Sequence, residues 1–363
     1  MKKLALLFAI CHLSFTLATA QTQLSQYQPG VTTDGAVYFL PKTVVKLQAM
    51  VEKTTYTPGD FARYAQRYLR MSDVSQEPAV SYRLLGVRIT PVAVPDTTKG
   101  YAVKFNPKTV APHVALSADG LLLAINAEPR PDNTSASSSP VPSVAALPQP
   151  DPRQYMSEEI LSAGSTAKMA ELTAREIYDL RENRSLLIKG QADFMPTDGT
   201  QLRLMLSQLD QQDRALSSLF TGVTRCDTTE SVVTIACDGP IQRQLAFRLS
   251  RKLGLVDNDD LAGVPYYINI EDMHTVPLPD KEAAAKVKKK AYEAGIYVNV
   301  PGTMRVTLQL GDGQMVSTAE LPAPQFGNVE LLSGDLFNKH FTTHLWLNPL
   351  TGAVDRLETE QPR

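Results

Sequence analysis

The chain has 363 residues, with 36 Lys plus Arg against 38 Asp plus Glu, a formal net charge of −2 and 43% hydrophobic residues. So even a balance argues against nucleic acid as a partner, which favours a basic face, and the length suits about two domains. The 25 prolines and the apolar fraction fit a globular, strand-rich exported protein with many turns.

The first 20 residues read as an export signal. Lys2 and Lys3 precede an apolar run from Leu4 to Leu17, too short to cross a bilayer. Ala18-Thr19-Ala20 supplies a small-x-small site, so cleavage is expected between Ala20 and Gln21. Cys11 lies deep in the run behind Ile10, whereas a lipidated cysteine follows a small residue. No later segment is apolar enough to span a membrane. The expected location is the periplasm or cell envelope, in soluble or peripheral form.

Residues 21–34 are polar and read as a flexible tail. Residues 35–128 read as an N-terminal β-rich domain. A strand over Val37 to Leu40 is expected to break at Pro41-Lys42-Thr43, and Val45, Leu47, Ala49 and Val51 alternate in the next. Thr57-Pro58-Gly59-Asp60 predicts a helix start with Thr57 as cap. Phe61, Tyr64, Ala65, Tyr68 and Leu69 follow at helical spacing, giving one short helix expected to lie on the sheet. Leu85, Val87 and Ile89 alternate, as do Tyr101, Val103 and Phe105. Asp119-Gly120 between Val114–Leu116 and Leu121–Ile125 signals a hairpin. Residues 129–156 form a Pro/Ser-rich linker: Pro129 to Arg153 holds seven prolines and five serines in 25 residues.

Residues 157–220 are the organising stretch, a helical hairpin. Ala170, Ala174, Ile177, Leu180 and Leu187 give one apolar face over roughly Ser165 to Ile188. Leu202, Leu206, Leu209, Leu216, Leu219 and Phe220 give another over about Thr200 to Phe220, interrupted by Asp213. Gly190, Pro196, Asp198 and Gly199 punctuate the connector. Each stripe has to be buried, partly on the other helix and partly on flanking β-layers.

Residues 221–363 read as a C-terminal β-rich domain with a Lys/Ala-rich helix over Asp280 to Ala294. Gly222 to Cys226 and Ser231 to Cys237 read as hairpin arms about a turn at Asp227–Glu230. That register sets the two cysteines well over 15 Å apart, too far for a disulfide. Later strands are expected at Leu245–Leu249, Tyr266–Ile270, Ile296 and Met304–Leu310, Leu345–Leu347 and Ala353–Leu357.

Five segments resemble a known family: VYFLPKT at Val37–Thr43, LRENR at Leu180–Arg184, LFTG at Leu219–Gly222, FRLS at Phe247–Ser250, and GLVD at Gly254–Asp257 leading to DLAG at Asp260–Gly263. They are similar, in order, to the domain-of-unknown-function 4831 family, exported proteins of Gram-negative bacteria. The resemblance implies an envelope location and brings no activity, cofactor or catalytic residue. A second similarity is internal. Tyr38 and Tyr297 are each followed by a proline, Pro41 or Pro301, and by apolar alternation starting seven residues on, at Val45 or Met304. Chance likeness of two β-hairpins and an old duplication both account for it.

Four patterns suggest chemistry. Ser165-Thr166-Ala167-Lys168 matches S-x-x-K of penicillin-recognising serine enzymes, but no K-T-G exists and Tyr267-Ile268-Asn269 falls on a strand. Ser165 reads instead as a helix cap. His340 and His344 would share a metal on a helix, but on the strand expected here they lie about 13 Å apart. His113 and His274 have no ligand neighbours in sequence. Asp257-Asn258-Asp259-Asp260 opens like a calcium loop, but the glycine and distal glutamate that should follow are missing, so it reads as a capped turn. Lys286, Lys288, Lys289 and Lys290 could touch anionic headgroups or acidic glycans, or form a solvated helix face. No G-x-S-x-G, Walker loop, dinucleotide glycine fingerprint or C-x-x-C occurs.

The expected fold is α+β: two β-rich antiparallel parts flanking a central antiparallel helical hairpin. The expected function is a non-catalytic binding or structural module of the envelope, without cofactor or metal, with an envelope protein or glycan as partner class. The alternative is an envelope hydrolase acting through scattered carboxylates, which can lie far apart in sequence. A cleft gathering buried acids would favour the hydrolase; a broad apolar or aromatic surface would favour binding.

Overall fold

The computed structural model describes residues 23–26, 36–104, 113–130, 151–277, 295–337 and 342–361. The expected export signal with its Ala20–Gln21 cleavage site, most of the Pro/Ser-rich linker, the Lys/Ala-rich helix with its lysine run, Phe105 and His340 lie outside the described residues. The fold is α+β, and the strands form three antiparallel sheets.

The first sheet contains β1 (Gln23–Gln26), β2 (Ala36–Thr57), β3 (Ala79–Lys104) and β6 (Val223–Ile235), ordered β1-β3-β2-β6. The second contains β7 (Ile241–Ser250), β8 (Gly254–Val256), β9 (Val264–Asp272), β10 (Gly295–Leu310) and β11 (Met315–Ser333), ordered β11-β10-β9-β7-β8. The third joins β4 (Val114–Leu116) and β5 (Leu122–Ile125) to β12 (Thr342–Leu347) and β13 (Val354–Glu360). The helices are α1 (Ala65–Leu69), α2 (Glu158–Leu161), α3 (Thr166–Lys189) and α4 (Gly199–Thr221).

The first two sheets face each other across a core that includes Val45, Leu47 and Ala49 of β2, Phe247 of β7, Ile268 of β9 and Met304, Val306 and Leu308 of β10. In β2, β9 and β10 alternation with period two turns these residues to one face, while β7 puts the neighbours Ala246 and Phe247 both into the core at a register break. A second core joins Tyr38 and Leu40 to Leu122, Ile125, Ile296, Val298 and Leu345. Both β2 and β10 therefore run through both cores, and each breaks register at its proline, between Phe39 and Pro41 or between Val300 and Gly302. The internally similar segments are built alike, and they meet: the Tyr38 hydroxyl accepts the Tyr297 N–H at 2.9 Å.

Several expectations change. The chain does not break at Pro41-Lys42-Thr43, because Pro41 sits at a bulge with Pro95 as its register partner. Neither proline has an N–H, so the pair strands no donor, and the Pro41 carbonyl accepts from Asn299 Nδ2 at 3.0 Å. Within the expected tail, Gln23–Gln26 pairs with β3. The two β-rich stretches share sheets rather than standing apart: β6 pairs with β2, and β5 pairs with β12. The turn at Asp227–Glu230 is absent, since those residues continue β6 opposite Met50–Lys53.

Thr57 ends β2 and caps nothing. The chain after it makes a 3-10 turn at Ala62–Tyr64 and then α1, neither with a side-chain cap. The free Phe61 N–H donates instead to the Leu219 carbonyl at 2.7 Å, at the end of α4. Nor does α1 lie on a sheet. Phe61, Ala65 and Leu69 join Ala170, Ala174, Ile177, Leu216, Leu219 and Phe220 in a third core drawn wholly from the helices and their connecting turns. The hairpin therefore buries its stripes within a helical body, not on the β-layers.

Candidate functional site

Helix α3 starts where Ser165 Oγ accepts the Lys168 N–H and ends at Gly190, whose φ of 68° is the left-handed turn that glycine adopts without strain. Helix α4 starts where Asp198 accepts the N–H groups of Thr200 and Gln201 at 2.6 and 2.7 Å. Asp213, the apparent fault in the α4 stripe, reaches across the hairpin to Arg181 through both its oxygens, and Arg184 pairs with Asp210 at 2.7 Å. These partly exposed ion pairs bridge the two antiparallel helices.

Over the distal half of the hairpin α3 still buries Leu180 and Leu187, whereas α4 buries no side chain there. Fully buried side chains in α4 are Ala215, Leu216, Leu219 and Phe220, all in its last two turns. Its first half projects past the helical core with Leu204 61% and Met205 40% exposed, and Phe194 of the connector is 87% exposed. Between the distal helices lies a groove of about 570 Å³. Leu186, Leu187, Leu204, Met205 and Leu209 make its apolar lining, and its polar groups are Asn183, Gln191, Asp193, Gln208 and Gln212. Amides outnumber charges there, so the groove suits contact with an apolar surface rather than proton transfer. The α4 stripe made the helix legible, but Leu204 and Met205 lie beside that stripe. Together with Phe194-Met195 in an otherwise polar connector, they were the signal for the groove.

The other candidates are dispersed. Ser165 is spent on capping, and Lys168 pairs with Glu171 at 3.1 Å on the exposed face. Tyr267 lies under the Arg243 guanidinium at 4.8 Å, and the Asn269 side chain accepts the Arg243 N–H at 2.6 Å, so neither approaches Ser165 chemistry. Asp257–Asp260 is a turn closed by Asp260 N–H to the Asp257 carbonyl at 3.0 Å, with the Asp260 carboxylate accepting from Ala262 N–H. His113 caps the β4–β5 hairpin through its backbone and His274 pairs with Asp272 at 3.0 Å. Among the described residues no group of three or more His, Cys, Asp or Glu is placed to hold a metal ion.

A second surface lies on the third sheet. His344 and Trp346 project from one face of β12, their rings 6.1 Å apart, beside a shallow hollow of about 640 Å³. The Arg356 guanidinium stands 5.4 Å over the Trp346 ring and also pairs with Glu358. His344 bonds the Asn126 carbonyl through Nδ1 and faces Glu360 at 3.6 Å. Charges and ring are thus already engaged with one another. His344 lies on a strand, as its sequence context predicts.

Among the described residues Cys226 and Cys237 are free thiols, the first exposed and the second buried. The sequence argument for this used a turn that does not form. Instead Val223–Ile235 is one strand, which holds the two residues about 30 Å or more apart. Burial raises the Cys237 thiol pKa, and Sγ donates to the Gly239 carbonyl at 3.1 Å. Alkylation of the native protein is therefore expected to label Cys226 promptly and Cys237 only on unfolding. Mass spectrometry without reductant checks this; a crosslinked Cys226–Cys237 peptide would contradict it.

The comparisons with known proteins give one match. No curated protein and no solved structure matches the chain. The model of one family, described as a domain of unknown function (DUF4831), matches residues 34–355.

Proposed function

This chain belongs to the DUF4831 family, and on that premise we propose that it is an exported cell-envelope protein that works by non-catalytic binding through the distal half of its helical hairpin. The observation that carries the reading is the exposed apolar groove at Leu186, Leu204, Met205 and Phe194. Exposed apolar surface gathered at one projecting site is a mark of an interaction surface.

The hydrolase alternative calls for a cleft gathering buried acids. Among the described residues Asp96 is the one buried carboxylate, and it is taken up by the Thr98 N–H and hydroxyl at 3.0 and 2.6 Å. Export rests on Lys2-Lys3, the apolar run and Ala18-Thr19-Ala20. No helix of the described residues is long and apolar enough to cross a membrane.

The test is crosslinking of the tagged protein in intact envelopes, comparing wild type with Leu204→Glu. Crosslinked species should form with the wild type and be lost in the variant. N-terminal sequencing of the same material should read Gln21-Thr22-Gln23. Crosslinks indifferent to Leu204→Glu would refute the hairpin as the binding surface, and an intact leader on cytoplasmic protein would refute export.

A further inference from the structure

We propose that β6 pairs edge to edge, antiparallel, with β6 of a second copy of this chain, in a register centred on Cys226. This surface is separate from the hairpin and does not depend on it.

The end strand of a sheet presents unpaired N–H and C=O groups, and proteins shield such edges by shortness, proline, bulges or dense charge. Among the described residues the other end strands are shielded in these ways. β1, β4 and β8 are four, three and three residues long. β11 carries Pro322 and Pro324, and β13 is charged at Asp355, Arg356, Glu358 and Glu360. The part of β3 that β1 leaves uncovered contains Pro91 and Pro95. By contrast, β6 runs for 13 residues without proline, glycine or lysine, and is exposed from Thr224 to Glu230. It pairs with β2 over its whole length without a bulge. A free ladder of that regularity can take one more strand.

The occupant follows from the order of the side chains. Residues directly opposite in an antiparallel ladder share a face, where unlike charges attract and like charges repel. A two-fold axis through the joined sheet therefore centres the pairing on one residue. Centring Thr224-Arg225-Cys226-Asp227-Thr228 on Cys226 sets Arg225 of each copy opposite Asp227 of the other, and Thr224 opposite Thr228. A centre at Arg225 or Asp227 sets like charges against each other, and a centre at Thr224 or Thr228 forms no ion pair. Asp227 also lies opposite Lys53 of β2, so the joint carries a row of alternating sign, Lys53–Asp227–Arg225, on each side of the axis. The third charge of β6, Glu230, accepts from Gln48 Nε2 within its own chain.

Sedimentation velocity of the mature chain, kept reduced and studied over a range of concentrations, tests the proposal. The wild type should pass from one chain mass to two. Asp227→Arg and Arg225→Asp each put like charges opposite one another at two symmetry-related places, and each should weaken association about tenfold or more. The double substitution restores unlike pairs and should recover association. All three variants should keep the wild-type circular dichroism spectrum, because both positions are exposed. Opposite residues of an antiparallel pair have Cα atoms about 4.5–5.5 Å apart, within reach of a disulfide. Oxidised glutathione added to the dimer should therefore yield a Cys226–Cys226 peptide. In that exchange two protein thiols are oxidised to one disulfide, and one glutathione disulfide takes up the electrons and protons as two thiols. A monomer at every concentration overturns the proposal. So does a dimer indifferent to the single substitutions, one that the double substitution fails to recover, or one that gives no Cys226–Cys226 link. Leu204→Glu should leave association unchanged; association that requires Leu204 overturns the strand pairing and leaves the hairpin reading in place.

Discussion

Gly327→Ala is expected to lower the stability of the whole fold by about 3 kcal/mol or more. At Gly302 and Gly327 the backbones of β10 and β11 pass so closely that a β-carbon on Gly327 would lie 1.9 Å from the Val300 carbonyl oxygen and 2.7 Å from the Gly302 nitrogen. Those are main-chain atoms, so no rotamer change clears them. The crossing sits at the bend where β10 leaves the core of Val298 and enters that of Met304, so relief would have to displace both cores. Urea denaturation should give a lower midpoint at an unchanged slope. A midpoint equal to that of the wild type would mean that the bend has slack the structure does not display.

Phe220→Ala is expected to cost about 3–5 kcal/mol, the range for emptying a fully enclosed aromatic site. Phe220 has no exposed surface and packs against Phe61 with ring centroids 5.4 Å apart. The damage should be local first, because the helical core shares no buried side chain with either β-core. Hydrogen exchange should speed up in α3 and α4 before it does in β2 or β10. Equal acceleration everywhere would show that the helices and sheets unfold as one unit.

The helices were legible because their signals are local. Ser165, Gly190, Asp198 and Gly222 sit at the ends of α3 and α4, and the observed bounds, Thr166–Lys189 and Gly199–Thr221, fall within a residue or so of those the apolar spacing gives. The β4–β5 turn was legible for the same reason, with Gly120 at a φ of 82°. What the sequence did not disclose is pairing across distance. Nothing near Pro41 announces Pro95 opposite it, and nothing near Thr228 announces Glu52. A proline and a polar run therefore read as breaks, while both lie inside long strands. Likewise Phe61 and Ala65 declare an apolar helical face but not whether a sheet or α4 will cover it. The groove went unread because its lining mixes the stripe residues Leu187 and Leu209 with Leu204, Met205 and the connector's Phe194, an apolar excess in sequence that takes on meaning only once their exposure is known.

The bond between Tyr38 and Tyr297 joins positions 259 apart in the chain. Sheets begun by β2, β3, β4 and β5 are closed by β6, β12 and β13, from well beyond the helical hairpin. Every such closure restricts a very long loop before any contact rewards it. A chain emerging from its N-terminus would hold β2 and β3 as a long, half-covered ribbon until β6, β10 and β12 arrive. Its open edges are templates for other chains during that interval. The helical body needs none of this, apart from Phe61–Leu69, and can form early. Assembly of this molecule would then be paced by its last strands, with a helper that shields strand edges having most effect before residue 347 is available.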